Sequence, residues 1–388
     1  MRAGAFLYPW DVVGDPAAAE RVAALGVRQV TLAAAYHSTR ALTPRHPHHR
    51  VVTAGHAAVL YPPGGRWRGR EPRPYPAGDW APGDAYGAAA EALAAAGLDV
   101  HAWVVLAHNS RLGAEHPDTG VVNAYGDRYP WAPCIARPAN RAYLVDLAAE
   151  AAVRPGAAGA ELESCGWYGF AHLHAHDKVA GVRLGEAGEY AMSLCFCATC
   201  RAGYGEHGQD ADRLAAAVRR GLEPVWRGAA PGPGWAGVER LLGAEAAAAT
   251  RAWREHSART FQEAAVGAVR AEAPDGFSVL LHADPVTYRC GANAGADPEH
   301  VLSVADGVVV PCTGGPEALA PFAARARGHT VLAANLTVVA GLGGSPATLA
   351  ADARRAAAHG ATELRLYHAG LASDEDLAHV EKALSRLA

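Results

Sequence analysis

The chain has 388 residues, half of them hydrophobic and 19% charged, with a formal net charge of -4, so it can bury a full core but has no global field to attract nucleic acid or an anionic membrane. Its alanine-rich stretches are interrupted by Arg, Glu and Asp, and none reaches the ~20 apolar residues that a membrane span requires. The expected partner is therefore a small molecule recognised locally, with neither nucleic acid nor membrane involved; the composition is compatible with a homo-oligomer.

Read in chain order, short apolar or β-branched runs alternate with alanine-rich helical stretches that open at Pro or Asp. Met1–Trp10 carries one arginine and a short apolar run broken by Pro9, which reads as a first strand without a secretory signal and implies a cytoplasmic setting. Strand Ala3–Tyr8 precedes a helix near Pro16–Leu25, and strand Arg28–Ala34 precedes one at Ala85–Ala96. Strand Asp99–Ala107 leads to Asn140–Val153, and strand Ala157–Glu163 to a long helical stretch about Gly234–Ala273. Four further units follow: Phe277–Ala283 with Pro298–Ser303, Ala305–Val310 with Pro316–Ala326, Thr330–Leu336 with Pro346–His359, and Glu363–Tyr367 with Ser373–Leu387.

Eight β-then-α units imply a parallel sheet that closes, a (β/α)8 TIM barrel in one domain spanning 1–388. An open doubly wound sheet is the weaker reading, because no Gly-rich dinucleotide or phosphate loop follows the first strand. Insertions at 36–80 and 164–234 follow the second and fourth strands, which puts them over the C-terminal face where barrel enzymes keep their chemistry.

Seven cysteines are an odd number, and Cys195, Cys197 and Cys200 form a C-x-C-x2-C run that suits thiolate ligation in a reducing compartment. Tetrahedral zinc needs a fourth ligand, for which Cys134 and Cys165 are candidates. Four sulfurs leave no open position, so such a zinc is structural. The run Cys195-Phe-Cys197-Ala-Thr-Cys200-Arg-Ala-Gly-Tyr204-Gly, preceded by Pro133-Cys134 and by strand-end Glu163, resembles glycoside hydrolase family 42 and its barrel relatives over roughly 131–205. The resemblance implies Cys134 as the fourth zinc ligand and Glu163 as the acid/base glutamate at the end of strand four. It departs from the family where Leu162 replaces an asparagine. Strand seven ends in Ala333-Ala-Asn335-Leu-Thr337, with no carboxylate where the resembled clan carries its nucleophile.

Period-two geometry turns Glu161 and Glu163 into the barrel, with Glu163 at the open end and Glu161 one layer deeper. The same alternation turns His282 and Asp284 inward on strand five, and Glu363, Arg365 and Tyr367 inward on strand eight. Arg365 is the expected partner of the deep carboxylates. Glycosidases need two carboxyl groups, so Asp284 is the expected second one, with Asp11 a weaker alternative.

Tyr8, Trp10, Tyr36, His37, Trp103, His108, Asn109, Trp167, His282, Asn335, Tyr367 and His368 fall near strand ends and supply the stacking faces and hydrogen-bonding groups that a sugar pocket needs. His172, His174 and His176 invite a metal reading, and Arg66, Arg68, Arg70 and Arg73 an anion grip. The expectation is a glycoside hydrolase or related enzyme acting on a small sugar conjugate. The alternatives are a metal-dependent lyase or isomerase using His37, His108, His282 or His368 with Asp284, and a barrel that binds sugar without turnover.

Overall fold

Side chains that alternate across a strand need filled space on both faces, and eight parallel strands meet that need by closing on themselves. They are β1 (Arg2–Leu7), β2 (Gln29–Tyr36), β3 (Asp99–Val105), β4 (Ala157–Glu163), β5 (Ser278–Asp284), β6 (Gly307–Pro311), β7 (Val331–Thr337) and β8 (Glu363–Tyr367). Neighbours pair in chain order, and β1 pairs with both β2 and β8, which closes the ring. This is the expected (β/α)8 barrel, and the open doubly wound sheet is excluded. The structure, a computed structural model, describes residues 1–172 and 177–387. Among them no helix is long and apolar enough to cross a membrane.

Helices α1 (Ala18–Ala24), α2 (Ala85–Ala95), α3 (Pro138–Ala152), α4 (Ala244–Glu272), α5 (Pro298–Val304), α6 (Ala320–Ala323), α7 (Leu349–Ala358) and α8 (Asp374–Ser385) surround the strands. Strand residues facing them, among them Val30, Leu32, Val104, Leu162, Leu281 and Leu366, are buried with Tyr86, Leu93, Leu144 and Phe261 of the helices in one apolar layer. The odd-even alternation expected for β4 and β5 holds, with Leu162, Val279 and Leu281 outward and the residues between them inward.

Three sequence expectations need correction. The stretch about Gly234–Ala273 is two helices, Gly234–Leu242 and α4, separated at Gly243, whose φ of 84° suits a residue without a Cβ. The stretch Pro316–Ala326 keeps only a short 3-10 turn, Glu317–Leu319, and the four-residue α6. The anion grip loses two of its four arginines: Arg66 meets Glu272 at 2.5 Å, Arg70 meets Asp146 at 2.5 Å, and Trp67 Nε1 donates to Glu150 at 2.6 Å. These contacts clamp the segment after β2 against α3 and α4, which engages Arg66 and Arg70 internally. The segment between β3 and α3 adds a helix, Ser110–Glu115, and an antiparallel pair, Gly120–Val122 with Arg128–Pro133.

Deep in the bore, Glu161 and Arg365 are fully buried and joined at 2.6 Å; Gln29 Nε2 donates to the same oxygen at 3.2 Å, and Arg365 also reaches Glu363 at 2.8 Å. Burial alone pushes Glu161 upward, but Arg365, helped by His282 and His101, outweighs it and holds the carboxyl below the usual range. Gly4 makes room, since a Cβ there would lie 3.3 Å from Arg365 Cδ. Breaking such a pair strands a charge, so Arg365→Leu is expected to cost about 3–5 kcal/mol in urea unfolding, and Glu161→Leu added to it to recover much of that loss. A single variant of wild-type stability would show that the pair contributes nothing.

Candidate active site and cysteine centre

Glu163 ends β4 with its side chain inside the barrel, 3% exposed. Trp103 Nε1, from β3, donates to its Oε2 at 2.7 Å, and His282 Nδ1, from β5, lies 3.8 Å from the same atom. The far side of that imidazole, Nε2, is 3.6 Å from Glu161 Oε2, so His282 stands between the two glutamates. Burial raises the Glu163 carboxyl above its usual range, against the opposing influence of His282 and the indole N–H. A group so placed keeps its proton to higher pH than an exposed glutamate, which is what a general acid requires.

Around this carboxyl the strand ends assemble a continuous aromatic wall. Phe6 and Trp103 meet edge to face at 4.7 Å, Tyr36 and Trp103 at 4.6 Å, and Phe6 and His282 at 5.7 Å. Tyr8 stacks on Trp10 at 4.5 Å and donates its hydroxyl to Tyr36 at 2.9 Å. Tyr367 and His368 complete one side, and His37 with His108 extends the other to Tyr168. Phe6 escaped the sequence reading, although it lies two residues before Tyr8 and period two places it inward.

Two more signals were invisible in the sequence. Ser164 (φ 55°) and His368 (φ 62°) are the described non-glycine residues with left-handed backbone, and they stand directly beyond Glu163 and Tyr367. Such backbone costs about 1–3 kcal/mol per residue and concentrates at functional sites. Here Ser164 N–H donates to Ala292 O at 2.8 Å, and the Tyr8 hydroxyl lies 3.2 Å from His368 Nδ1. Buried polar atoms without a partner gather in the same region: Trp10 Nε1, Ser164 Oγ and Asn335 Oδ1.

The other expected site residues have partners of their own. Asp284 accepts from the Val286 N–H at 2.8 Å and pairs with Arg289 at 3.2 Å; among the described residues no hydrogen bond or ion pair joins it to Glu163. Burial raises its carboxyl, opposed by the Val286 N–H and Arg289. Asp11 lies behind Tyr8, whose N–H it accepts at 2.9 Å, and burial pushes its carboxyl up to about 7 against that N–H and Arg45. Asn109 accepts from the Leu112 N–H and caps the helix Ser110–Glu115. Trp167 Nε1 donates to Arg254 O at 2.9 Å. Of the three histidines read as metal ligands in the fourth insertion, His174 and His176 lie outside the described residues.

Burial holds His37 down to about 3 and both His101 and His368 to about 4, so the fold keeps them neutral. The unfolded chain takes up these protons first, near pH 6.5, and stability present above that pH is lost as pH falls toward the folded values. Each histidine contributes roughly 1.4 kcal/mol per pH unit across that window. The three histidines therefore act to lower the thermal midpoint from pH 6.5 to 4, against the raised carboxyls of Asp11, Glu163 and Asp284, which work the other way; a midpoint that rises there would contradict the burial of neutral imidazoles.

The cysteine run meets its fourth member from the segment before α3. Cys134, Cys195, Cys197 and Cys200 are all buried, and their sulfurs lie within 4.8 Å of one another. Cys134 Sγ is 3.8 Å from Cys197 Sγ and 3.6 Å from Cys200 Sγ. Four thiolates at about 2.3 Å around a tetrahedral zinc would stand roughly 3.8 Å apart, so the donor set and its spacing fit that ion. Cys165 is not part of the group. No other set of three or more His, Cys, Asp or Glu ligand atoms among the described residues lies close enough to share an ion.

No family model and no curated protein matches the sequence. Solved structures do match in fold. The chain is similar over its whole length to alpha-L-fucosidase isoenzyme 2 from Paenibacillus thiaminolyticus, with TM-score 0.58, 12% identity and 49% of that chain covered. It is similar to a GH42 beta-galactosidase from G. stearothermophilus, with TM-score 0.54, 13% identity and all of this chain against 56% of that one. The catalytic domain of beta-amylase from Paenibacillus polymyxa matches with TM-score 0.56 and 12% identity over 99% of this chain and 98% of that one. The chain thus spans about half the length of the fucosidase and the galactosidase, and shares the barrel fold of these glycoside hydrolases.

Proposed function

We propose that the chain is a glycoside-processing enzyme acting on a small carbohydrate conjugate, with Glu163 as general acid/base and Asp284 as the second carboxylate. The carrying observation is a buried, proton-retaining glutamate at the end of β4, held by Trp103 and His282 inside an aromatic wall. Sugar rings present C–H patches that stack on such faces, and the unpartnered Trp10 Nε1 and Asn335 Oδ1 await hydroxyl groups.

In this reading Glu163 gives its proton to the glycosidic oxygen as the bond to the anomeric carbon breaks. Asp284 then either bonds to that carbon as nucleophile or takes a proton from the attacking water. Proton NMR of the first-formed product distinguishes the two, because the first retains and the second inverts configuration. The four cysteines would hold a structural zinc, as in the resembled family 42, with no part in the chemistry.

A second reading rests on Asn335, which occupies the end of β7 where the clan's nucleophile would stand. There the barrel binds sugar without cleaving it. A panel of aryl and alkyl glycosides separates the two: release of the aglycone from any member supports the enzyme, whereas saturable quenching of tryptophan fluorescence without release supports the binder.

A further inference from the structure

Arg254, on α4, is 3% exposed, yet no carboxylate lies within ion-pair distance of it among the described residues. Its guanidinium lies 5.4 Å from the Trp167 ring and 4.7 Å from the Tyr190 ring. Its Nη2 donates to Cys290 Sγ at 2.7 Å, while Nε and Nη1 have no partner. A buried guanidinium needs an anion or acceptor beside it, and arginine itself offers only N–H donors. The acceptor it has found is a sulfur.

The other cysteines differ. Four form the cysteine centre; Cys165 is buried, with its thiol pushed up by desolvation; and Cys312 donates its S–H to Val310 O at 3.3 Å. Cys290 alone combines partial exposure with an arginine donor. Reactive cysteines occupy such electropositive, partly open places.

We propose that Cys290 is a peroxide-reactive cysteine whose oxidised form is bound by Arg254. The sulfur attacks a hydroperoxide oxygen: the S–O bond forms as the O–O bond breaks, and the thiol proton ends on the departing oxygen. Sulfur loses two electrons, giving a sulfenic acid, and the hydroperoxide is reduced to water or an alcohol. The new oxygen supplies an acceptor for an N–H on Nε or Nη1, which a bare sulfur leaves unmet. The site also adjoins the strand end: Gly291 N–H donates to Trp167 O at 3.1 Å, Ser164 N–H donates to Ala292 O, and a Cβ on Gly169 would lie 3.0 Å from the sulfur.

The zinc-loaded full chain, exposed to hydrogen peroxide with dimedone present and then digested for peptide mass analysis, tests this. Cys290 is expected to be trapped about tenfold faster than Cys165, Cys312 or free glutathione. Arg254→Gln is expected to abolish that advantage, Arg254→Lys to keep most of it, and Cys290→Ser to remove the adduct. Trapping of wild-type Cys290 no faster than glutathione overturns the proposal without recourse to any variant. So does an Arg254→Gln protein of unchanged circular dichroism that is trapped at the wild-type rate.

Discussion

Glu163→Gln is expected to lower turnover of an alkyl glycoside by about 100- to 10,000-fold while leaving the fold intact. Glutamine reproduces the neutral form of the carboxyl that burial favours and can keep the Trp103 N–H bond, so the thermal midpoint should hold. What it loses is the proton. An alkyl leaving group departs with difficulty and feels that loss fully; a nitrophenyl group needs less help and should show a smaller drop.

The same reading fixes the sign of the pH dependence. Activity should fall as pH rises through the raised Glu163 value, because the acid form is then lost. His282 acts to lower that value, so His282→Gln should shift this alkaline limb to higher pH. Full activity of Glu163→Gln on the alkyl substrate would remove the residue from the mechanism. A limb unmoved by the His282 change would remove only the coupling.

Zinc release is expected to have the largest effect on stability. The four sulfurs join the segment before α3, through Cys134, to the start of the helix Ala198–Glu206, through Cys195 and Cys197 just before it and Cys200 within it. Elemental analysis should find one zinc per chain, absent from Cys134→Ser and retained in Cys165→Ser. Strong chelation, or the Cys134 change, should lower the thermal midpoint by on the order of 10 °C, since metal-binding free energy is folding free energy for such a centre. A protein purified with zinc available yet holding none would end the proposal, as would Cys134→Ser with full metal and an unaltered midpoint.

Several features were legible without coordinates because their causes are local. Strand alternation repeats every two residues, and it correctly turned Glu161, Glu163 and His282 inward and Leu162, Val279 and Leu281 outward. The β-then-α repeat counted eight units, and eight close. The C-x-C-x2-C spacing marked three members of the buried cysteine cluster within one short run. The break at Gly243 was hidden because alanine-rich sequence reads as continuous helix on either side of it.

What the sequence determined by itself was the order of elements, the face each strand residue takes and the presence of a cysteine cluster, all set by patterns that act over a few residues. Only the tertiary structure decided the pairings. Trp103 reaches Glu163 from 60 positions away, and the arginines at 66 and 70 find carboxylates on α3 and α4; the pairing of Glu161 with Arg365, 204 positions apart, is the exception, anticipated because alternation turns both into the bore. Ring closure brings such residues together, and the left-handed backbone at Ser164 and His368 directly follows the ends of β4 and β8. Alternation can name charges that share the bore, but no pattern along the chain encodes the partners of Glu163, Arg66 or Arg70, because those depend on the distances closure creates.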